Sequence, residues 1–320
     1  MDMLTVVVFG GSGFIGSHLV ARLSQLGVRV IVPTRRSERA KHLIFLPGVE
    51  VVETRIGDDA ALSALLQRKH AVINLVGVLH SRRGLPYGED FKRVHVDLPR
   101  RIVAACAQQG VPRYLHMSAL GAAIDGPSMY LRSKADGEVA ARAEPSVAAT
   151  IFRPSVVFGP GDKFLTTFAR LQRFLPFVPL AGAETDFQPV YVGDVAQAFC
   201  AALLEPRTRH QVYELGGPQI YALSDLVRLA GKYAGHQRPV FGIPDSVARI
   251  QAAFFSLLPG DPLISADNLD SMKVDNVVDP AIQATTAAAL GIKLTPLEAV
   301  APHYLSGSAR YDDFRARAGR

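Results

Sequence analysis

Tyr130 and Lys134 stand four residues apart in the segment YLRSK, so on a helix they share one face. A phenol ionises near pH ~10 and works as an acid or base at neutral pH only beside a cation, which Lys134 would supply. Ser118 follows the apolar run Tyr114 to Met117. Its hydroxyl would hydrogen-bond an oxygen of the reacting molecule while Tyr130 gives or takes that oxygen's proton. Such a set suits interconversion of a carbonyl and an alcohol, and that reaction needs a hydride carrier.

A seat for the carrier lies in Val6 to Gly16, VVVFGGSGFIG, where an apolar strand runs into glycines at 10, 13 and 16 and then into an amphipathic helix. Gly10 permits a sharp turn, Gly13 a close backbone approach to a pyrophosphate, and Gly16 tight packing of helix on strand. Ser12, Phe14 and Ile15 complete the turn and open the helix, whose free N–H groups and positive dipole end favour phosphate. Leu19, Val20, Leu23 and Leu26 continue one helical stripe. Arg35 and Arg36 follow the second strand, where a carboxylate would bind the ribose 2′-hydroxyl of NAD; no Asp or Glu stands at 34 to 36. The arginines suit a 2′-phosphate, so NADP(H) is favoured and NAD(H) is the alternative. Asp58 in RIGDD is placed to meet the adenine amine, with Asp59 as the helix cap. Val76 and Gly77, after Asn74, would let the fourth strand's backbone pass close to the cofactor.

The elements that must position these residues follow an alternating pattern. Apolar runs at Val28 to Val32, Val49 to Val52, Ala71 to Val76, Tyr114 to Met117 and Ala148 to Phe152 are interleaved with helical segments at Ala60 to Gln67, Asp90 to Gln109 and Tyr130 to Ala143. This predicts an α/β fold with a doubly wound parallel sheet, a Rossmann fold. From Gly159 the pattern loosens into a smaller, interleaved C-terminal α/β lobe. Residues 1–160, with returning strands at Phe187 to Val192 and Val212 to Leu215 in a segment of about 186–220, form the dinucleotide-binding domain. Residues 161–185 and 221–320 form the substrate or partner lobe.

The chain has 320 residues, 48% of them hydrophobic, enough for a large core. Cys106 and Cys200 lie in apolar helical segments away from any His or Cys cluster, so neither a metal nor a disulfide is expected. The first strand starts almost at Met1 and no apolar run reaches the roughly 20 residues of a spanning helix, so the expected location is cytoplasmic. The +6 charge fits an anionic ligand, partner or membrane surface. Nucleic acid is not expected, because basic and aromatic residues are not interleaved and Trp is absent.

GGSGFIG, NLVG, Ser118 with YLRSK, FRPSVVFGPGD and QPVYVGDVA together resemble the short-chain dehydrogenase/reductase superfamily in its extended or atypical epimerase/dehydratase-like branch, over about residues 1–220. INLVGVL, HMSALGA, YLRSKADGE and Asp275 to Val278 are more narrowly similar to bacterial relatives of the ninth alpha-subcomplex accessory subunit of respiratory complex I, over nearly the whole chain. The resemblance implies cofactor contacts at Gly10, Gly13, Gly16, Arg35, Asp58 and Gly77, and a catalytic set of Ser118, Tyr130 and Lys134. It further implies that Pro154 and Ser155 lie under the nicotinamide and that Asp194 caps a helix.

The main expectation is an NADP(H)-dependent oxidoreductase of a carbonyl or quinone-related small molecule. A second is a non-catalytic NADPH-binding accessory or assembly protein linked to complex I or ubiquinone metabolism. A nucleotide-sugar epimerase or dehydratase ranks third, since only eleven residues separate Ser118 from Tyr130 and no diphosphate-binding set is evident in the second lobe. In Pro244 to Gly260, Val247, Ile250, Phe254 and Leu257 share a helical face, expected to be core and otherwise a cover for substrate, partner or membrane. With the tail arginines 310, 315, 317 and 320 it motivates a second expectation of peripheral attachment to the inner face of the membrane.

Overall fold

The computed structural model describes residues 3–256, 264–281 and 286–306. The chain divides into two compact units: Met1–Pro154 with Gly193–Leu215 and Asp279–Ile292, and Ser155–Val192 with Gly216–Val278 and Lys293–Arg320.

The first unit is built on seven strands: β1 (Thr5–Phe9), β2 (Arg29–Thr34), β3 (Val49–Glu53), β4 (Ala71–Asn74), β5 (Arg113–Met117), β6 (Ala148–Pro154) and β7 (Val212–Leu215). They pair in the order β7-β6-β5-β4-β1-β2-β3, all parallel. The doubly wound parallel sheet is therefore as expected, and its strand order reverses between β1 and β4, the crevice where such sheets bind ligands. Val6, Val7 and Val8 of β1 are wholly buried, which explains why the strand reads as a continuous apolar run. Each such side chain contributes about 1.5–3 kcal/mol of burial. Register sets Phe9 beside Asn74 and Asn74 beside His116, aligning the strand ends that carry the site.

The helices of this unit are α1 (Phe14–Gln25), α2 (Asp59–Leu66), α3 (Leu98–Gln109), α4 (Met129–Ala141) and α5 (Val192–Leu204). The single helix expected over Asp90 to Gln109 is present and runs unbroken over 89–109, but it is widened to a π-helical stretch at Lys92–Asp97 between a first turn at Glu89–Phe91 and α3. Hydrophobic periodicity does not reveal a one-residue widening of a helix, and such widenings gather at functional positions.

In the second unit, helices Phe164–Phe174, Leu223–Tyr233 and Leu297–Leu305 pack around Phe158, Leu165, Leu226 and Ala301. Val190–Tyr191 pairs with Val157–Phe158 inside this unit, so only Val212–Leu215 of the two expected returning strands joins the large sheet. Helix Asp245–Ser256 buries Ala248 and Ala252 while Val247 and Ile250 stay exposed, which corrects the expectation that its apolar stripe is core. The Phe254 side chain, Leu257 and the tail arginines lie outside the described residues. Among the described residues no helix is long and apolar enough to cross a membrane, and no cluster of three His, Cys, Asp or Glu could hold a metal ion. Cys106 and Cys200 are buried free thiols whose pKa values burial pushes up to about 12.

Candidate functional site

The glycine turn forms where the parallel strand β1 must reverse into α1. Gly10 has φ +78, the left-handed region that favours glycine, and a side chain there would press on the Leu75 and Val76 backbone at 3.1 and 3.2 Å. A Cβ on Gly16 would stand 2.2 Å from the Gly10 carbonyl oxygen, so only glycine lets the helix approach the turn. Gly13 differs: its Cβ would meet only that same oxygen, at 3.2 Å, and otherwise face open space. Gly13 is also the N-cap of α1, and it brings no side chain to the helix's free N–H groups. Ser12, Phe14 and Ile15 around it are partly exposed. An uncapped helix start beside an open glycine is a cradle that fits a pyrophosphate.

The Tyr130 and Lys134 corner is assembled from three elements. Both side chains rise from α4, whose N-cap Ser128 accepts a hydrogen bond from the Leu131 N–H. Lys134 is buried, donates to the Met117 carbonyl oxygen at 3.2 Å, and its Nζ lies 5.8 Å from the Tyr130 ring centre. Gly77, leaving β4, comes so close that its Cβ would sit 3.4 Å from Lys134 Nζ.

The third contributor is His95 in the π-helical stretch. Its Nε2 accepts the Val78 N–H at 3.1 Å, and its Nδ1 donates to Ser133 Oγ at 2.8 Å, which donates to the Tyr130 carbonyl oxygen at 2.7 Å. The imidazole is neutral, its pKa lowered to about 2 by burial and then by Lys134. It packs edge-on to Tyr130 with ring centres 5.6 Å apart. The π-helical stretch and α4 cross closely enough that a Cβ on Gly137 would collide with the His95 carbonyl oxygen at 2.2 Å. A lone histidine inside VHVD carries no sequence signal for this role.

Burial decides the charge states of the pair. The Lys134 pKa falls to about 8 through desolvation, partly offset by Glu138. Tyr130 does not acquire the lowered phenol pKa expected beside a lysine; desolvation pushes it up to about 12. The ammonium is directed to a backbone carbonyl and stands well off the ring centre, so its field does not offset the loss of water.

Ser118 is not brought to this pair by a hydrogen bond. Its hydroxyl is buried and donates to Glu138 Oε1 at 2.6 Å. Glu138, 2% exposed on α4, also receives Arg153 Nε and Nη2 at 2.7 and 2.8 Å and Arg142 Nη2 at 3.0 Å. Arg153 reaches on to Glu214 of β7 at 3.6 Å, and these carboxylates hold its pKa above the ordinary value. Beneath Lys134, Asn74 donates to the Tyr114 hydroxyl at 3.1 Å, and His116 Nδ1 lies 3.2 Å from that hydroxyl. The pattern that could have exposed this ionic core is the placement of Glu138 four residues after Lys134 and Arg153 inside an apolar strand.

Arg35 and Arg36 are exposed after β2, and neither forms an ion pair among the described residues. Asp58 is the cap of α2, accepting the Ala60 N–H at 3.0 Å, while Asp59 pairs with Arg101 at 2.7 Å; the capping role expected of Asp59 therefore belongs to Asp58. Val76 donates its N–H to Asn74 Oδ1 at 3.1 Å. Pro154, at the end of β6, accepts the Leu120 N–H at 3.0 Å. Ser155, in the second unit, places its hydroxyl 2.6 Å from Asn276 Oδ1.

Comparison with known proteins places this arrangement. The family profile described as NAD dependent epimerase/dehydratase matches residues 6–216. Subunit 9 of the mitochondrial NADH dehydrogenase [ubiquinone] 1 alpha subcomplex of Mus musculus is 32% identical over 301 residues, covering 92% of this chain and 78% of that protein. A protein named ceramide reductase from Caulobacter vibrioides is 34% identical over 199 residues, covering 61% of this chain and 60% of its own. The crystal structure of UDP-glucuronic acid 4-epimerase from Bacillus cereus with UDP-glucuronic acid and NAD shares the fold, with TM-score 0.65, 18% identity, and coverage of 84% of this chain and 99% of that one. The glycine cradle and the profile match together support binding of a nicotinamide dinucleotide, and the chain belongs to the NAD dependent epimerase/dehydratase family.

Proposed function

We propose that this protein is an NADP(H)-binding accessory protein in which the dinucleotide braces the crevice of the first unit. The observation that carries this reading is the commitment of the Ser118 hydroxyl to Glu138, which is itself held by Arg153, so that its proton is directed into the ionic core. Gly10, Ser12, Gly13, Phe14, Ile15 and Gly16 would cradle the pyrophosphate, and Lys134 would hold the ribose beside Gly77. Arg35 and Arg36, exposed and without an acidic partner among the described residues, would take the 2′-phosphate. Asp58 retains Oδ2 for the adenine amine while Oδ1 caps α2, and Val76, Pro154 and Ser155 would line the nicotinamide end. The likeness to mitochondrial complex I subunits supports a place in respiratory-complex assembly or ubiquinone metabolism.

The second reading, an NADP(H)-dependent reductase of a carbonyl or quinone-related compound, is favoured by one feature. The Tyr130 phenol, raised to about 12, is protonated at neutral pH and lies on the same helix face as Lys134, so it could donate to a substrate oxygen. The bound dinucleotide would supply the hydride. The relative named ceramide reductase points the same way.

Thermal-shift and fluorescence titration with NADPH, NADP, NADH and NAD tests the shared core of both readings, with the phosphorylated pair expected to bind about tenfold or more tightly. Equal or better binding of NAD(H) would remove the role of Arg35 and Arg36. Tyr130→Phe then separates the readings: an accessory protein keeps its NADPH affinity within about twofold and supports complex I function in cells as the wild type does. NADPH oxidation by a ketone or quinone that is lost in Tyr130→Phe would establish the reductase instead.

A further inference from the structure

Helix Phe164–Phe174 of the second unit ends in four consecutive exposed apolar residues, Phe174, Leu175, Pro176 and Phe177. Phe174 is 75% exposed and Phe177 52%. The chain then enters the short strand Val178–Leu180, which pairs in parallel with Val240–Gly242 and sets Pro179 opposite Phe241. Phe241 is itself 57% exposed, and its ring centre lies 6.3 Å from that of Phe177. Isolated exposed apolar side chains need no explanation, but an unbroken run joined by an aromatic from a second strand marks a surface that meets something apolar.

The surrounding charge says what that is. Arg170 and Arg173 are exposed on the last turns of the helix, and the Arg173 guanidinium stands 5.7 Å from the Phe174 ring centre. Arg238 is exposed where the second strand begins, tethered by its Nε to the Gln172 carbonyl oxygen at 3.1 Å. Neither segment contributes a carboxylate: no Asp or Glu occurs from Lys163 to Ala183 or from Leu226 to Pro244. An apolar tip inside a wholly cationic collar complements one medium in both respects, an anionic headgroup layer over an acyl interior.

We propose that this tip docks the protein on an anionic phospholipid surface, with Phe174, Leu175, Phe177 and Phe241 entering the headgroup–acyl boundary and Arg170, Arg173 and Arg238 meeting the phosphates. The proposal is independent of what the first unit binds. The full-length protein should float with vesicles of phosphatidylcholine and phosphatidylglycerol at low salt, release at high salt, and ignore vesicles of phosphatidylcholine alone. The double variant Phe174→Ser/Phe177→Ser should weaken flotation about tenfold or more, and Arg170→Ala/Arg173→Ala by a similar factor. All four side chains are exposed, so both variants should keep the wild-type melting temperature, and NADPH titration serves as a control for the fold. Failure to bind the anionic vesicles at low salt overturns the proposal, as does binding that survives the phenylalanine substitutions. A dimer that the same substitutions dissociate, without vesicle binding, would overturn it in favour of a contact between copies of this chain.

Discussion

The glycine turn and the Tyr130–Lys134 corner sit at the ends of neighbouring strands in one sheet, yet they are made in opposite ways. The turn is seven residues long, and what makes it a cradle is missing side chains: Gly10 and Gly16 have backbone where a Cβ would go, and Gly13 opens outward. The corner depends on side chains from distant elements. Glu138 on α4 is held by Arg153 on β6, Arg153 reaches Glu214 on β7, and His95 links the loop after β4 to α4. The cradle is thus a local structure, whereas the corner is held by a buried long-range network. The largest expected effect lies in that network. Glu138→Ala strands Arg153 half-buried without its bidentate partner and leaves Ser118 without its acceptor, at a cost of about 3–5 kcal/mol. Denaturant unfolding measures it, and a loss under about 1 kcal/mol would show that the ion pair does not organise the corner.

The turn should respond in the reverse sense. Gly13→Val places its Cβ against a single oxygen at 3.2 Å and needs no unusual backbone angle, since φ is −82 there. The folded protein should tolerate it within about 1 kcal/mol, the range of ordinary surface substitutions and slightly more. The added methyls would occupy the space over the α1 N-terminus, so dinucleotide affinity should fall by about 100-fold, roughly 2.7 kcal/mol. Titration of the variant with NADPH beside an unfolding curve reads both quantities. Loss of stability without loss of affinity would mean that the cradle is not where the dinucleotide binds.

The same division explains what could be read beforehand. The doubly wound sheet was legible because β1, β2, β4 and β6 are buried along most of their length and appear as apolar runs, and the turn because its three glycines are contiguous with a strand and a helix stripe. Tyr130 and Lys134 were legible as an i, i+4 pair on one helix. Ser118 was recognisable as a residue but not by its partner, since Glu138 lies twenty positions away and only the packing of α4 on β5 joins them. The phenol's pKa was misjudged for a related reason: helical spacing says that a lysine is near, while the balance between its field and desolvation depends on depth. His95 was missed because the π-helical widening that aims it leaves no periodic trace.

The smallest of these effects distinguishes burial from charge in the corner. His116 is wholly buried with its Nε2 unpaired among the described residues, and its pKa is lowered to about 3 by desolvation and then by Lys134 and Arg142. The unfolded chain binds a proton at this residue below about pH 6.5, while the folded protein does not until about pH 3, so stability is full above 6.5 and is lost as pH falls through that window. His95 adds a loss of the same sign. Lys134 adds no slope in this window, because both states keep it protonated below its folded value of about 8. Between pH 7 and 5 His116 alone should therefore remove about 2 kcal/mol of unfolding free energy. His116→Asn cannot take up that proton, so its stability should change less over the interval by about that amount, whatever its stability at pH 7. Parallel curves for the two proteins would mean that water or a rearranged Lys134 reaches the imidazole, and that the floor of the corner is wetter than its packing indicates.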